Sequence, residues 1–181
     1  MKNPPKILQT QLIAQSRLFD VEAVDLQFSN GAQRIFERLR RKHIGAVMIV
    51  PITAAAEFIL IREYAVGLER YELTFPKGFI DDGESAIEAA DRELKEEVGH
   101  GAGQRCSLKT LATSPAYMSS QLTVVLAQDL YAEKLEGDEP EPLEIVKWPI
   151  IEYHRLLQEP DFISAMSVAA LLLATRTLGL D

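Results

Sequence analysis

The part of the sequence with the clearest chemical potential is a set of three glutamates, Glu93, Glu96 and Glu97, which we call the glutamate face. In a helix these positions follow an i, i+3, i+4 spacing, so the three carboxylates project from one side. Like charges packed in this way repel each other, and a divalent cation would offset the repulsion. Mg²⁺ prefers carboxylate oxygens together with substrate phosphates. The spacing would therefore suit a Mg²⁺ site, with Mn²⁺ as the alternative ion.

The same hexapeptide, RELKEE at residues 92–97, is also typical of a solvated helix. Glu88 with Arg92, and Asp91 with Lys95, have the spacing of ordinary i,i+4 ion pairs. Taken alone, the hexapeptide favours a solvent-exposed helix face over a metal site. The choice between the two interpretations depends on the surrounding sequence.

The helix that carries the glutamate face has its own start and stop signals. Ser85 followed by Glu88 forms a capping box, in which each side chain satisfies a backbone N–H group of the first turn. A helix is therefore predicted over Glu84–Val98. Its end is marked by three glycines: Gly99, Gly101 and Gly103. At 3.6 residues per turn one arc is apolar and is predicted to face the core: Ile87, Leu94 and Val98.

The remaining chain alternates between predicted strands and a few helices. In the N-terminal third, strands at 19–28 and 34–39 flank Ser29-Asn30-Gly31, which indicates a type I′ hairpin turn. Further strands are predicted at 46–52, 58–64, 71–75, 106–113, 122–129 and 146–148, and helices at 150–158 and 161–178. An acidic loop with two prolines covers 133–144. A mixed sheet interleaved with few helices favours a layered α/β domain and disfavours a Rossmann fold.

Composition limits the class of protein. A chain of 181 residues with 47% apolar residues fits one globular domain. The formal net charge of −8 argues against a nucleic-acid partner, because duplex binding needs a basic face. The basic run at 38–42 is expected to be a solvated strand end or a contact for a small anionic substrate. The single cysteine, Cys106, excludes an intrachain disulfide. Without an apolar leader or a membrane-length apolar run, we expect a cytoplasmic protein that does not contact membranes.

Residues 78–100 resemble the Nudix box, G-x5-E-x7-R-E-U-x-E-E-x-G-U, of the Nudix hydrolase superfamily. The last position is a departure, because His100 stands where a bulky apolar residue is usual. The segment YELTFPKG at 71–78 is similar to the ADP-ribose pyrophosphatase branch, and segments at 16–18, 61–67 and 135–142 resemble one member of it. All other fixed positions of the box match: Gly78, Glu84, Arg92, Glu93, Leu94, Glu96, Glu97 and Gly99.

The resemblance implies a fold and an activity. The expected fold is the Nudix α/β/α sandwich, with a mixed β-sheet and an N-terminal antiparallel strand extension. Residues 1–45 would form this extension and residues 46–181 the hydrolase domain. Members of this kind split ADP-ribose, diadenosine triphosphate and NADH with Mg²⁺, and release AMP. The extension is expected to build a homodimer.

The resemblance also assigns roles in the metal site and in catalysis. Arg92 would orient the glutamates through charge-assisted contacts, and Glu96 would act in catalysis as well as in metal binding. Glu84 would support the loop and helix or assist through water, and Gly78 would let the backbone approach closely. The expected metal ligands are Glu93, Glu96, Glu97 and the backbone carbonyl of Lys77.

In this branch the catalytic base comes from a loop after the sheet, which here is the acidic loop. Glu139 is the favoured base, and Glu141 is the alternative base or a ligand. A purely solvated loop remains an open interpretation of the same run. Many relatives have Gln-Tyr-Arg where this chain has Glu63-Tyr64-Ala65, so a substrate-contacting arginine is absent. The expected substrate-binding residues are Arg62, as its substitute, with Tyr64, Glu72 and Arg41.

Two other functions remain open. The first is a Nudix hydrolase with another specificity, such as a nucleotide-sugar hydrolase, which the box does not distinguish. The second is a non-catalytic Nudix module that binds a ligand. Such modules usually lose glutamates of the box, whereas this chain keeps all four, so the second function is disfavoured.

Overall fold

The computed structural model describes residues 3–41 and 45–180, apart from the side chain of Arg41. The N-terminal unit is a three-stranded antiparallel sheet in the order β1-β2-β3. The first strand was not predicted, because its apolar residues occur in adjacent pairs instead of alternating, and all ten of its residues are exposed. The strands are β1 (Lys6–Gln15), β2 (Phe19–Gln27) and β3 (Gln33–Arg41).

The turn between β2 and β3 differs from the predicted type. A type I′ turn needs a positive φ at both central residues, but at this turn only Gly31 has one, at +85°. Asn30 instead accepts a hydrogen bond from the N–H of Ala32 through its side chain, at 3.1 Å. The hairpin was therefore predicted correctly and its turn type was wrong.

The body of the protein contains two further sheets. A mixed sheet has the order β7-β4-β9-β8, in which β4 and β9 are parallel, and an antiparallel sheet has the order β10-β5-β6. Short β7 was not predicted, and β8 begins six residues before the predicted strand. The strands are β4 (Ala46–Pro51), β5 (Glu57–Ala65), β6 (Arg70–Thr74), β7 (Lys77–Phe79), β8 (His100–Ala112), β9 (Gln121–Ala132) and β10 (Glu144–Pro149).

Helices cover both sides of this body. The helical segments are α1 (Ala86–Glu93), a π-helical turn (Leu94–Val98), a 3-10 turn (Ile150–Glu152), α2 (Tyr153–Leu156) and α3 (Ala165–Thr177). Alternation along β4 sends Val47 and Ile49 towards α1, and Met48 and Val50 towards α3. Apolar side chains of the central strands therefore fill two cores on opposite sides, which is the predicted α/β/α sandwich.

Helix α1 begins as the sequence indicates and ends differently. The capping box of Ser85 and Glu88 is present. The predicted α-helix to Val98 is wrong in its last turn, because residues 94–98 form the π-helical turn. Gly99 ends it with a φ of +75°. The other two glycines lie within β8 and do not stop the helix. A Cβ at Gly101 would lie 2.4 Å from the ring of Tyr131, so a side chain there would displace that ring.

Strand β7 and the π turn bring the site together. Gly78 of β7 pairs with Val47 of β4. Directly opposed residues of paired strands lie on the same face of a sheet, so Gly78 lies on the face that α1 covers. Leu94 and Val98 are buried in the core below α1, as predicted, and Ile87 packs against the same core. Within residues 3–41 and 45–180, no helix is both long and apolar enough to span a bilayer.

Candidate active site

The guanidinium of Arg92 is the centre of the hydrogen-bond network beside the glutamate face. Nε and Nη2 donate to the two carboxylate oxygens of Glu84, each at 3.0 Å. Nη1 donates to Glu93 at 2.8 Å and to Glu96 at 3.0 Å, and Nη2 also donates to the Phe79 carbonyl at 2.8 Å. Arg92 therefore holds two members of the glutamate face against the loop that precedes α1.

The two ion pairs expected on a solvated helix have different outcomes. The pair of Asp91 with Lys95 is present at 3.0 Å. The pair of Glu88 with Arg92 was predicted wrongly, because the carboxylate of Glu88 accepts from the Ser85 N–H in the capping box. Arg92 instead donates to the carboxylates of Glu84, Glu93 and Glu96.

Gly78 of β7 lies directly against the carboxylate of Glu93. A Cβ at this position would be 2.0 Å from Cδ and Oε1 of Glu93. Any side chain here would displace that carboxylate or push β7 away from α1. The close approach expected from the sequence is therefore an approach between the backbone of Gly78 and one of the predicted metal ligands.

The third member of the glutamate face, Glu97, is held from the other side. Its Oε2 accepts a hydrogen bond from the N–H of Lys77 at 3.0 Å, and the ammonium of Lys77 donates to Glu63. The peptide of Lys77 is therefore adjacent to the glutamate face. Glu63 was absent from the predicted site residues. The signal was present in β5, where Glu63 is the second of two half-buried charged residues that follow four buried apolar ones.

Burial and neighbouring charges shift the pKa values of this cluster. Burial raises the pKa of Glu97 to about 9, against the opposing effect of Lys77. Burial also raises the pKa of Glu93 to about 6, although Arg92 opposes the shift. The hydrogen bonds from Arg92 hold the pKa of Glu84 below its usual range. Two carboxylates of the glutamate face are therefore destabilised as anions and would be relieved by a cation.

A cavity of about 800 Å³ lies over the glutamate face. Helix α1 and its π turn contribute Arg92, Glu93, Glu96 and Glu97, and β5 and β7 contribute Glu63 and Lys77. The acidic loop lines the cavity with residues 136–140. Arg17 and Leu18, from the turn between β1 and β2, complete the wall.

The structure separates the two glutamates that were considered as base. Glu139 lines the cavity, and its charge contributes to the raised pKa of Glu93, after burial and the opposing effect of Arg92. Glu141 does not line the cavity, because its carboxylate accepts a hydrogen bond from the Tyr71 hydroxyl. At the start of the loop, Lys134 donates to the carbonyl of Glu96. The loop is thus held at both ends, with Glu139 between the two attachments.

The predicted substrate-binding residues are not gathered at this cavity. Arg62 forms ion pairs with Asp161 and Glu144. Tyr64 is half exposed and packs edge-on against Tyr71, with ring centroids 5.5 Å apart. Neither they nor buried Glu72, whose pKa is raised by burial, are part of the cavity lining. The side chain of Arg41 lies outside the described residues.

A second cavity of about 490 Å³ adjoins the first and shares the wall formed by Lys77 and Gly78. Met48, Leu122 and Met166 give it apolar walls, and the serines at 114, 120 and 164 add hydroxyls. Such a lining suits a ribose or a base next to a diphosphate. The sequence did not indicate this cavity, because its residues come from five separate segments.

Comparison with known proteins agrees with this geometry. Residues 42–168 match the model of the NUDIX domain. Residues 5–38 match the model described as the NudE-type Nudix hydrolase N-terminal domain. The chain therefore belongs to the Nudix hydrolase family, and it is an enzyme of that family.

Within the family, the chain is similar to proteins that are named for acting on ADP compounds. The chain is 57% identical to ADP compounds hydrolase NudE of Escherichia coli (strain K12), over 96% of this chain and 93% of that protein. It is 28% identical to ADP-ribose pyrophosphatase of Bacillus subtilis (strain 168), over 92% of each chain. A solved structure described as the crystal structure of ADP compounds hydrolase superposes with a TM-score of 0.93. That structure is 54% identical, and the match covers 99% of this chain and 96% of that one.

Nudix hydrolases generally use divalent metal ions, and the residues of the glutamate face suit such an ion. Among the described residues, no three acidic, histidine or cysteine side chains are arranged to hold an ion by themselves. The face is instead an open half-site of carboxylate oxygens. Two of its three carboxyl groups, those of Glu93 and Glu97, are buried and have raised pKa values. Mg²⁺ commonly binds through one or two carboxylates plus water and substrate phosphate, so an open half-site fits it.

The raised pKa values predict how stability depends on pH without divalent ions. The folded protein retains protons on Glu97 and Glu93 that the unfolded chain releases above about pH 4.5. The free energy of unfolding should therefore fall as pH rises from about 5.5 to about 8, by up to ~1.4 kcal/mol per pH unit for Glu97 alone. Urea unfolding in EDTA measures this slope.

The control for this measurement is Glu97→Gln, which should flatten the slope. Comparison of the two proteins cancels the titration of the three histidines. Adding Mg²⁺ should stabilise the wild type more at about pH 8 than at about pH 5.5, because the ionised carboxylates then gain a counterion. Equal slopes for the two proteins would contradict the burial of a titrating carboxyl at position 97.

Proposed function

We propose that this Nudix hydrolase is a Mg²⁺-dependent pyrophosphohydrolase that cleaves ADP-containing nucleoside diphosphate derivatives and releases AMP. ADP-ribose, diadenosine triphosphate and NADH are the candidate substrates, and Mn²⁺ is the alternative ion. The observation that carries the proposal is the glutamate face, held by Arg92 and covered by an acidic loop. The names of the similar proteins from Escherichia coli and Bacillus subtilis support the choice of ADP compounds.

The residues of the site would divide the work. Glu93, Glu96, Glu97 and the Lys77 carbonyl would hold the metal ions. When bound, Mg²⁺ supplies positive charge that offsets the charge of the diphosphate oxygens. Arg92 stays charged at all working pH values and keeps the carboxylates oriented without taking part in proton transfer. The second cavity would receive the nucleoside or sugar portion next to the cleaved bond.

A water molecule that attacks phosphorus must lose a proton, and Glu139 is the proposed acceptor. It lines the cavity over the glutamate face, whereas Glu141 is bonded to Tyr71 outside the cavity. A general base contributes typically 10²–10⁴-fold. Glu141 is assigned a different role, in which it fixes the end of the loop that carries the base.

The activity is tested by incubating the protein with Mg²⁺ and each candidate substrate and separating the products by chromatography. The wild type should release AMP from at least one ADP compound. Glu97→Gln should lower that rate by at least about 100-fold, because a metal ligand loses its charge. A folded wild type that releases no AMP from any of the three would refute the substrate class and favour another Nudix specificity or a binding module.

The base is tested by comparing Glu139→Gln with Glu141→Gln. The first variant should lose at least about 100-fold in kcat with little change in KM. The second should lose less than about tenfold, and Tyr71→Phe should match it, because both changes remove the same hydrogen bond. The reverse order of the two glutamine variants would make Glu141 the base and would contradict the proposed roles.

We also propose that residues 1–45 form a dimerisation unit beside a hydrolase domain at 46–181. Both faces of β1 are exposed, and large apolar side chains of the N-terminal sheet face solvent. They are Ile7, Leu8, Leu12, Ile13, Ile35 and Phe36. An exposed apolar sheet of this kind is typical of a surface that a second subunit covers.

A cytoplasmic location stays a prediction.

Light scattering after size exclusion tests the dimer. The wild type should have twice the chain mass of 20.2 kDa. The double variant Leu12→Arg/Ile35→Arg should be a monomer, because each charge would be buried in the interface. The matched control is Val66→Arg, at an apolar residue that is 82% exposed on the turn after β5. A wild-type mass near 20.2 kDa at micromolar concentration would refute the dimer.

A further inference from the structure

The cavity over the glutamate face has an unfavourable charge for its proposed substrate. Its walls carry the glutamate face, Glu63 and the carboxylates of the acidic loop. A diphosphate entering this cavity is repelled by the same charges that would attract a metal ion. A cation that is not already paired would therefore contribute directly to substrate binding.

Among the described residues, three basic side chains line the cavity, and two of them are engaged by the protein. Lys77 donates to Glu63, and Arg92 is bonded to Glu84, Glu93 and Glu96. The third is Arg17. Within residues 3–41 and 45–180, Arg17 forms no hydrogen bond or ion pair. Its guanidinium is thus the uncommitted cation in the described part of the wall.

Other arginines expected near the substrate are engaged elsewhere. Arg62, the expected substitute for the arginine absent at position 65, is paired with Asp161 and Glu144. On the N-terminal sheet, Arg38 and Arg40 pair with carboxylates of β2 at 2.8–3.0 Å. Neither group lines the cavity over the glutamate face. These arginines therefore do not replace the substrate-contacting arginine that is absent at position 65.

The local structure holds Arg17 at the cavity wall. It lies in the tight turn between β1 and β2, where the Phe19 N–H donates to the Ser16 hydroxyl at 3.0 Å and the Ser16 N–H donates to the Phe19 carbonyl at 2.8 Å. This double contact fixes the backbone on both sides of Arg17. The neighbouring Leu18 lines the same cavity, so the turn presents both side chains to it.

We propose that Arg17 binds a phosphate group of the nucleoside diphosphate derivative and replaces the arginine missing at position 65. The proposal rests on the proposed function and adds a specificity-determining residue from the N-terminal sheet. A guanidinium matches two oxygens of a phosphate with two parallel N–H donors, which a single ammonium does not reproduce. Arg17 thereby offsets the negative charge of the diphosphate, which the acidic wall would otherwise repel.

The test compares Arg17→Gln and Arg17→Lys with wild type in the presence of Mg²⁺. Steady-state kinetics with ADP-ribose should show KM raised at least about tenfold in Arg17→Gln, with kcat within about twofold. Arg17→Lys should fall between the two, because it keeps the charge and loses the parallel pair of N–H donors. The matched control is Arg34→Gln on β3, an exposed arginine of the same sheet whose bond is to the neighbouring Gln33 carbonyl; it should behave as wild type.

Binding is measured separately, by calorimetry with the non-hydrolysable α,β-methylene analogue of ADP-ribose. The affinity of Arg17→Gln should be at least about tenfold weaker and less sensitive to salt, because one charge contact is lost. Wild-type KM and affinity in a folded Arg17→Gln would overturn the inference. The proposed function is decided independently, by whether the wild type releases AMP at all.

Discussion

The site depends on one interaction, the contact of the Arg92 guanidinium with three carboxylates and one carbonyl. Glutamates that would otherwise repel each other are held in fixed positions because Arg92 donates to Glu84, Glu93 and Glu96 at once. The bond to the Phe79 carbonyl extends this order to the strand that carries Gly78. A lysine at the same position would have one nitrogen for these partners, so the planar fork of arginine is the feature that the arrangement requires.

Much of the framework was predictable because its causes are local. The capping box of Ser85 and Glu88 and the hairpin at Gly31 depend on neighbouring residues, and the alternation in β4 reflects burial on two sides. The π turn at 94–98 was not predictable from helical periodicity, since a single turn of five residues is too short to distinguish i,i+5 from i,i+4 bonding. Strand β7 is only three residues long, too short for any period to show.

The site itself was predictable where a contiguous motif encodes it and not where distant segments meet. The glutamate face and Arg92 come from one helix, so the box located them. Glu63 and Arg17 come from β5 and from the N-terminal turn, and only the fold brings them to the same cavity. Candidates chosen from sequence position alone, such as Arg62, are instead used in ion pairs that hold β5 to β10 and to the segment before α3.

The acidic loop connects strands that belong to different sheets. It leaves β9 in the mixed sheet and enters β10, which pairs with β5 in the antiparallel sheet. Lys134 ties its start to the π turn, and Glu141 ties its end to Tyr71 on β6. Glu139 therefore lies between two hydrogen-bonded attachments of the loop to different parts of the body. A sliding displacement of one sheet against the other would therefore change the distance between the two attachments and move the carboxylate between them.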